Sequence, residues 1–276
     1  MTGPFTVHPG SLLLCLRVPK TGSRSLGAAL DAAFAGKRRF YLPNTLEFDG
    51  RLSTFQHLRF RRSQIRNLIA HYGTPSLECA FRHIEQKAMN GDLLSGGHID
   101  FRTVFWRLTR EVRIVTILRN PYDRCRSEYY YARQSQLAKQ PLTRLDSGTI
   151  PLVAAKFDFN SYVDFLLDHR DVYGDISAAY LGLLPCTDID AFFRRHVFHA
   201  GVLERSDQFA RALGDKLGTR VQFPQLNGSG SEQHVPLTAA TKRKLDLLYG
   251  FDFAIYEYLL NSSQQRAARV RHRAFG

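Results

Sequence analysis

The chain has 276 residues, of which 44% are hydrophobic and 12% aromatic, so it can build the core of one large domain and is not intrinsically disordered. Its 38 lysines and arginines exceed its 25 aspartates and glutamates, which gives a formal net charge of +13 at pH 7. This charge favours an acidic partner and does not choose among nucleic acid, anionic lipid, an acidic polysaccharide and a polyphosphorylated cofactor.

The first half of the chain predicts strands that alternate with helices. Residues 11–18, "SLLLCLRV", form the continuous apolar run that is typical of a buried strand. The next stretch has apolar side chains at helical spacing, with Ser23 as the expected N-cap. "RRFYLP" is expected as a second strand, residues 60–90 as helix with a break at 73–75, and "DLLSGGHI" as a short strand before a glycine turn.

The second half contains the clearest strand, "VRIVTIL" at 112–118, which is β-branched and apolar like a central strand of a parallel sheet. A helix is predicted from Pro121, with Asn120 as its N-cap. The later expected elements are a short strand over "FHAGVLE" and helices over 160–169, 188–196, 206–217 and 238–249. This alternation predicts one α/β domain over residues 1–276, with an open, mainly parallel central sheet flanked by helices. The basic C-terminal segment, 264–276, is expected to fray.

The predicted turn between the first strand and the first helix is rich in groups that bind anions. "PKTGSRS", residues 19–25, places a lysine, a glycine and three hydroxyl groups where backbone N–H groups and the helix dipole favour negative charge. A Walker A loop needs GxxxxGK[ST], whereas here Lys20 precedes Gly22, the loop's only glycine. The order predicts an anion shorter than a triphosphate, and a tight turn with a solvent-facing lysine is the alternative.

A second group of candidate ligands follows the central strand, in "VTILRNPYDRCRSEYYYAR". Arg119 ends the strand, and Ser127 lies two turns into the next helix. Both side chains can therefore converge on a phosphate at the C-terminal edge of the sheet, where α/β proteins bind ligands.

These two motifs together resemble those of sulfotransferases, and the form with PKTGS is similar to Golgi glycan sulfotransferases of the uronyl 2-O type. "VPKTGSRS" resembles their 5′-phosphosulfate loop, and "LRNPYDRCRSEYYYAR" resembles their 3′-phosphate element, R-x-P-x-x-R-x-x-S-x-Y. "HAGVLERSDQF" and "LTAATKRKLDLLYGFDFAIYEYL" match the group's C-terminal pattern, so the resemblance covers most of the chain, thinly between residues 37 and 90. It implies a P-loop-kinase-like sulfotransferase fold.

The resemblance also implies the cofactor PAPS, 3′-phosphoadenosine 5′-phosphosulfate, and no obligatory metal. The residues implied to hold the 5′-phosphosulfate are Lys20, Thr21, Gly22, Ser23, Arg24 and Ser25. Arg119 and Ser127 are implied to bind the 3′-phosphate. Asn227 and Ser229 are further candidates, because a loop at this point of the chain lies near the nucleotide in the family.

Several positions in these motifs leave alternatives open. Arg24 stands where the family usually has threonine, and it either adds a phosphate contact or faces outward. Tyr122 and Arg124 are expected to be structural, with a role as anion ligand as the alternative for Arg124. Lys20 is implied to stabilise the leaving phosphate during in-line displacement, by the same positioning and electrostatics that serve phosphoryl transfer.

A sugar hydroxyl is a weak nucleophile, so a general base is expected beside it, and histidine suits this role near neutral pH. His98, in "LLSGGHIDF", matches the "GHxxF"-type stretch that carries the catalytic histidine in the uronyl 2-O enzymes. The second histidine that the family often has two residues earlier is replaced by Gly96. His57 is the alternative base, and a structural histidine is the alternative role for His98.

The resulting prediction is a PAPS-dependent carbohydrate O-sulfotransferase that acts on a glycan, acidic or extended, such as a polysaccharide. Basic clusters at 59–66 and 102–113 are candidates to bind it, or are solvated helix faces. An ATP-dependent small-molecule kinase of related fold and a nucleotide-binding pseudoenzyme remain alternatives. A kinase requires a GK[ST] loop and an acidic Mg²⁺ ligand at a strand end, where Arg119 stands instead. No nucleic-acid-binding module is recognisable, so no nucleic-acid partner is expected.

Four cysteines are spread along the chain without a CxxC pair or metal-ligand spacing: Cys15, Cys79, Cys125 and Cys186. This pattern favours buried free thiols in a reducing compartment. No apolar run approaches the length of a transmembrane helix, and "SLLLCL" is too short and poorly flanked for a signal peptide. A bacterial cytoplasm is therefore the favoured location. The alternative is that the chain is the excised catalytic domain of an anchored enzyme in the Golgi lumen.

Overall fold

The centre of the computed structural model is a parallel sheet. The structure describes residues 11–42, 65–74, 76–138, 149–224 and 236–274, with side chains as far as residue 262. Within these ranges the strands are β1 (Leu12–Cys15), β2 (Arg39–Leu42), β3 (Leu93–Gly96), β4 (Val112–Leu118) and β5 (Val197–Val202). They form a five-stranded sheet in the order β2-β3-β1-β4-β5, and every pair is parallel. The predicted α/β class with a mainly parallel sheet is confirmed.

Helices cover both faces of this sheet. The first group along the chain is α1 (Ser23–Ala33), α2 (65–72), α3 (Leu77–Lys87), α4 (Phe101–Phe105), α5 (Pro121–Leu137), α6 (Thr149–Lys156) and α7 (Phe159–Asp168). The second group is α8 (Arg170–Tyr173), α9 (Ile176–Leu181), α10 (Ile189–His196), α11 (Ser206–Leu217), α12 (Ala239–Leu248) and α13 (Gly250–Ala274). A 3₁₀ turn, Leu203–Arg205, connects β5 to α11.

Every strand that the sequence predicts is present, and the four later predicted helices agree with α7, α10, α11 and α12 to within one residue at each end. The sequence analysis missed the 25-residue helix α13 and four short helices, α4, α6, α8 and α9, which have between four and eight residues. Segments this short span too few turns to show a helical period. The backbone of α13 is helical as far as Ala274, so helix extends through most of the segment that we expected to fray.

The central strand β1 positions the rest of the molecule. It pairs with β3 on one side and with β4 on the other. Its side chains alternate between two apolar clusters, because Leu12 and Leu14 face one layer of helices while Leu13 and Cys15 face α1 and α11. Since β1 and β4 are adjacent and parallel, the turns that follow them open at the same edge of the sheet.

Candidate functional site

The turn after β1 has a left-handed backbone at two positions, Lys20 (φ 65°) and Gly22 (φ 78°). The left-handed conformation favours glycine at position 22, and a Cβ atom there would lie only 2.6 Å from Cδ1 of Leu203, so a larger residue would also require the Leu203 side chain or the loop to move. The Thr21 hydroxyl donates a hydrogen bond to the Val18 carbonyl at 2.9 Å, and Thr21 is fully buried. The proton of the Thr21 hydroxyl is therefore used within the turn.

Helix α1 begins at Ser23 instead of being capped by it, so the prediction of Ser23 as N-cap is wrong. Gly22 occupies the N-cap position, with no side-chain hydrogen bond to the first turn and no acidic residue in that turn. In six other described helices the side chain of the N-cap residue itself accepts a hydrogen bond from the first turn: Ser76, Asp100, Asn120, Asp158, Asp188 and Thr238. Helix α11 also lacks a side-chain cap but has Asp207 in its first turn. The first N–H groups of α1 thus keep their positive potential for an anion.

The Lys20 side chain crosses from this turn to helix α5. Its Nζ atom lies 3.7 Å from the centroid of the Tyr131 ring. Tyr131 is one helical turn beyond Ser127, so both side chains project from the same face of α5. The structure therefore directs the cation of the first motif toward the helix face that carries the serine of the second motif.

The turn after β4 is supported by the 3₁₀ turn after β5. The Asn120 backbone N–H donates to Oε1 of Glu204 at 2.9 Å, and the neighbouring residue Leu203 is the one that approaches Gly22. Two consecutive residues therefore connect the candidate ligand-binding turns, because Leu203 contacts the first turn and Glu204 the second. Arg119 is half-buried at the end of β4, and its guanidinium has no hydrogen-bond or salt-bridge partner among the described residues.

His98 is held against the strand that leads into the first turn. Its Nδ1 atom lies 2.6 Å from the carbonyl oxygen of Arg17. Because a carbonyl only accepts, Nδ1 carries the proton, and Nε2 of the neutral ring keeps its lone pair. Burial is the main cause that lowers the pKa of His98, the charge of Arg17 lowers it further, and the hydrogen bond partly opposes both. The ring is therefore neutral at physiological pH and able to accept a proton.

The position two residues before His98 has no room for a side chain. Gly96 has φ 137°, and a Cβ atom there would lie 2.5 Å from the Leu42 carbonyl oxygen and 2.7 Å from the Tyr41 ring. The Gly96 carbonyl instead accepts a hydrogen bond from the Arg17 guanidinium. The second histidine of the family pattern is thus excluded by packing in this chain, and Arg17 is a site residue that sequence reasoning missed.

The remaining residues predicted to bind ligand differ in their exposure, and some lie outside the described residues. Ser23 and Ser25 are buried in the first turn of α1, with 5% and 7% of their surface exposed, whereas Arg24 between them is exposed. The candidates that lie outside the described residues are Asn227, Ser229, His57 and positions 59–64 of the first basic cluster. Their roles stay predictions.

The second basic cluster, 102–113, is partly neutralised by acidic side chains. The Arg110 guanidinium lies 3.8 Å from a Glu85 carboxylate oxygen, and that of Arg113 lies 2.6 Å from Glu111. These arginines already have partners on the protein, so the cluster offers an acidic glycan less charge than its sequence indicates.

The structural role expected for Arg124 is confirmed by its complete burial. Its guanidinium lies 4.6 Å from the centroid of the Tyr249 ring and 3.5 Å from a Glu128 carboxylate oxygen. Tyr129 is also a core residue, and its hydroxyl donates to the Phe157 carbonyl at 2.9 Å. Among the tyrosines at 129–131, only Tyr131 is mainly exposed.

Two cavities lie near these elements. One of about 400 Å³ opens beside the N-terminus of α5 and is lined by Asn120, Tyr122, Asp123, Arg126, Pro236, Leu237 and Lys242. The other, of about 240 Å³, follows the outer edge of β5, and none of the predicted site residues lines it. We place the site at the two turns and not in the β5 cavity, because the turns bring together the helix N-terminus, Lys20 and the Ser127 face of α5.

Within the described ranges, no group of three or more histidine, cysteine, aspartate or glutamate side chains is arranged to hold a metal ion. The same residues include no helix with both the length and the apolar character needed to cross a bilayer. All four cysteines are free thiols; Cys15 and Cys125 are buried, and Cys186 is exposed.

Comparison with known proteins agrees with this arrangement. A family model described as the sulfotransferase domain matches residues 13–193, which is more than half of the chain and includes both turns, His98 and Ser127. No curated protein sequence matches the chain. On the extent of the family match, the chain belongs to the sulfotransferase domain family and is an enzyme that transfers a sulfuryl group.

Proposed function

We propose that the chain transfers a sulfuryl group from PAPS to a hydroxyl group of a glycan, acidic or extended. The observation that carries this proposal is the position of Lys20, whose Nζ lies over Tyr131 on the Ser127 face of α5. The cation of the first motif thereby lies beside the helix face that carries the hydroxyl of the second motif, which supports a ligand with an anionic group at each end.

The residues at the two turns fit PAPS, which the family generally uses. At the first turn, the uncapped N-terminus of α1 and the close backbone approach at Gly22 suit the 5′-phosphosulfate, with Lys20 as its cation. At the second turn, Arg119 offers a forked, charge-assisted contact and Ser127 a hydroxyl for the 3′-phosphate. When bound, PAPS supplies the sulfuryl group that the acceptor receives.

The chain's own residues supply the acid–base and electrostatic chemistry. His98 accepts the proton of the acceptor hydroxyl at Nε2, because the Arg17 carbonyl fixes the tautomer and burial keeps the ring neutral. The Lys20 ammonium neutralises the negative charge that develops beside the first turn. The match of "GHIDF" to the uronyl 2-O pattern and the net charge of +13 support a glycan acceptor, acidic or extended.

Ligand-dependent thermal stabilisation tests the cofactor assignment, since a ligand that binds only the folded state raises its melting temperature. We expect adenosine 3′,5′-bisphosphate to stabilise the protein clearly, and adenosine 5′-monophosphate and ATP with Mg²⁺ to have little effect. The 5′-monophosphate is the matched control because it lacks only the 3′-phosphate. Stronger stabilisation by ATP with Mg²⁺ would replace this function with that of a kinase.

Transfer of radiolabelled sulfate tests the acceptor. The panel consists of a uronate-containing polysaccharide, a neutral polysaccharide, a simple phenol and a tyrosine-containing acidic peptide, each with labelled PAPS. We expect label in the uronate-containing polysaccharide. Label confined to the phenol or the peptide would keep the sulfotransferase activity and dismiss the glycan acceptor.

A further inference from the structure

We propose that Tyr131 is a positioning residue that orients the Lys20 ammonium for sulfuryl transfer; this inference rests on the role proposed above for Lys20. The contact that suggests it is the cation–π geometry between the two side chains, with Nζ 3.7 Å from the ring centroid. An aromatic face attracts an ammonium at this distance through its quadrupole.

Packing does not account for the aromatic ring at position 131. Tyr131 has 60% of its surface exposed, whereas Tyr129 on the same helix is 4% exposed and belongs to the core. The described residues provide no hydrogen-bond partner for the Tyr131 hydroxyl. Its contact with Lys20 is thus the interaction that distinguishes this side chain from an ordinary exposed residue.

The lysine has a flexible side chain on a fixed backbone. The left-handed conformation at residue 20 sets the direction in which the side chain leaves the turn, and four rotatable bonds then separate Cα from the ammonium. The ring restricts these rotations and keeps Nζ on the side of α5 that carries Ser127. Orientation before binding matters because only a correctly placed charge stabilises the transition state.

A double-mutant cycle tests whether Tyr131 acts through Lys20. We expect Tyr131→Leu to lower kcat about three- to tenfold, in line with the strength of a cation–π contact, and to leave the dissociation constant of adenosine 3′,5′-bisphosphate within about twofold. Tyr131→Phe keeps the ring face and should restore kcat. In a Lys20→Ala background, Tyr131→Leu should cause no further loss.

Chemical labelling of the ligand-free protein tests the contact without any turnover. With a lysine-acylating reagent and peptide mass spectrometry, Lys20 should react about two- to fivefold faster in Tyr131→Leu than in the wild type or Tyr131→Phe, because the ring no longer stabilises the protonated amine. Leu137→Ala, an exposed position on the same helix, is the matched control and should leave both kcat and Lys20 labelling unchanged.

Each alternative outcome identifies a different failure. Equal losses from Tyr131→Leu with and without Lys20 would show that Tyr131 acts independently, for example on the acceptor, and would overturn the inference. Unchanged Lys20 labelling in Tyr131→Leu would overturn it as well, by showing that the contact is absent in solution. A wild-type protein that neither binds the bisphosphate nor transfers sulfate would instead remove the proposed function, and with it the positioning role, whatever the labelling shows.

Discussion

The two turns that open at the same edge of the sheet are built in opposite ways. After β1, the backbone is left-handed at Lys20 and Gly22, and helix α1 starts without a side-chain cap. After β4, Asn120 caps α5 and Pro121 occupies the first turn of that helix. The first turn can therefore offer a ligand the N–H groups of an uncapped helix, whereas at the second turn Pro121 has no N–H and the Asn120 side chain already binds the Tyr122 N–H, so recognition there would depend more on side chains. We expect the first turn to be sensitive to backbone changes and the second to side-chain changes.

The largest effect is expected from the loss of His98, which lies beside the strand that leads into the first turn. His98→Ala should lower kcat for sulfate transfer by about 10²- to 10⁴-fold, the usual contribution of a general base, while binding of adenosine 3′,5′-bisphosphate stays nearly intact. Steady-state kinetics and calorimetric titration measure the two quantities. His83→Ala, at an exposed histidine on α3, is the control and should change neither. Normal turnover in His98→Ala would dismiss the assigned base.

The next largest effect is expected at Gly22, where two glycine variants separate the steric fit of the first turn from its backbone strain. Gly22→Ala places a Cβ atom against the Leu203 side chain, so that side chain or the loop must shift, and a shift of the loop should weaken bisphosphate binding about a hundredfold. Gly36→Ala is the matched control, because Gly36 has φ 80° but no atom within 4 Å of its added Cβ. Both variants should lose about 1–2 kcal/mol of stability, and only Gly22→Ala should lose binding. Equal binding by the two variants would show that the Leu203 side chain moves aside and would contradict the expected shift of the loop.

At the second turn we expect binding to depend on a side chain, Arg119, and stability to depend on the helix cap, Asn120. Arg119→Ala should weaken bisphosphate binding about ten- to a hundredfold, since it removes a charge-assisted contact, and should hardly change the melting temperature. Asn120→Ala should cost about 1 kcal/mol of stability through the lost cap and affect binding less. Calorimetry with the bisphosphate and thermal unfolding separate the two. If Asn120→Ala weakened binding more than Arg119→Ala, side-chain recognition at this turn would be disproved.

The smallest expected effect is that of pH. The pKa of His98 is lowered mainly by burial, so the neutral, proton-accepting ring persists to more acidic pH than for an exposed histidine. The value of kcat/KM should fall about tenfold per pH unit only below that lowered pKa. A pH–rate profile should therefore place the midpoint of the acid limb below 6.5, the ordinary value for histidine. A midpoint above 6.5 would show that another group limits the reaction.

The sequence predicts the sheet well because continuous apolar runs such as "VRIVTIL" reflect burial on both faces of a strand. It also predicts the capped turn after β4, since Asn120 and Pro121 act within their own segment. It fails at the turn after β1, where Ser23 is the better N-cap by residue type but the left-handed Gly22 takes that position.

The contacts that complete the candidate site were beyond sequence reasoning. They join residues far apart in the chain, such as His98 with Arg17, Lys20 with Tyr131 and Asn120 with Glu204. Local periodicity carries no information about such pairs. The stretch "HAGVLERSDQF" supplied a signal for the last of them, but only as a family resemblance without a role for Glu204.

The support that the residues after β5 give to both turns affects how mutations there should be interpreted. The Leu203 side chain lies against Gly22, and Glu204 accepts a hydrogen bond from the Asn120 backbone, so this short segment contacts both turns. A substitution that displaces this segment would alter the spacing between the two turns as well as each turn separately. The distance that the proposed ligand would span between the turns therefore depends on residues that need not touch it.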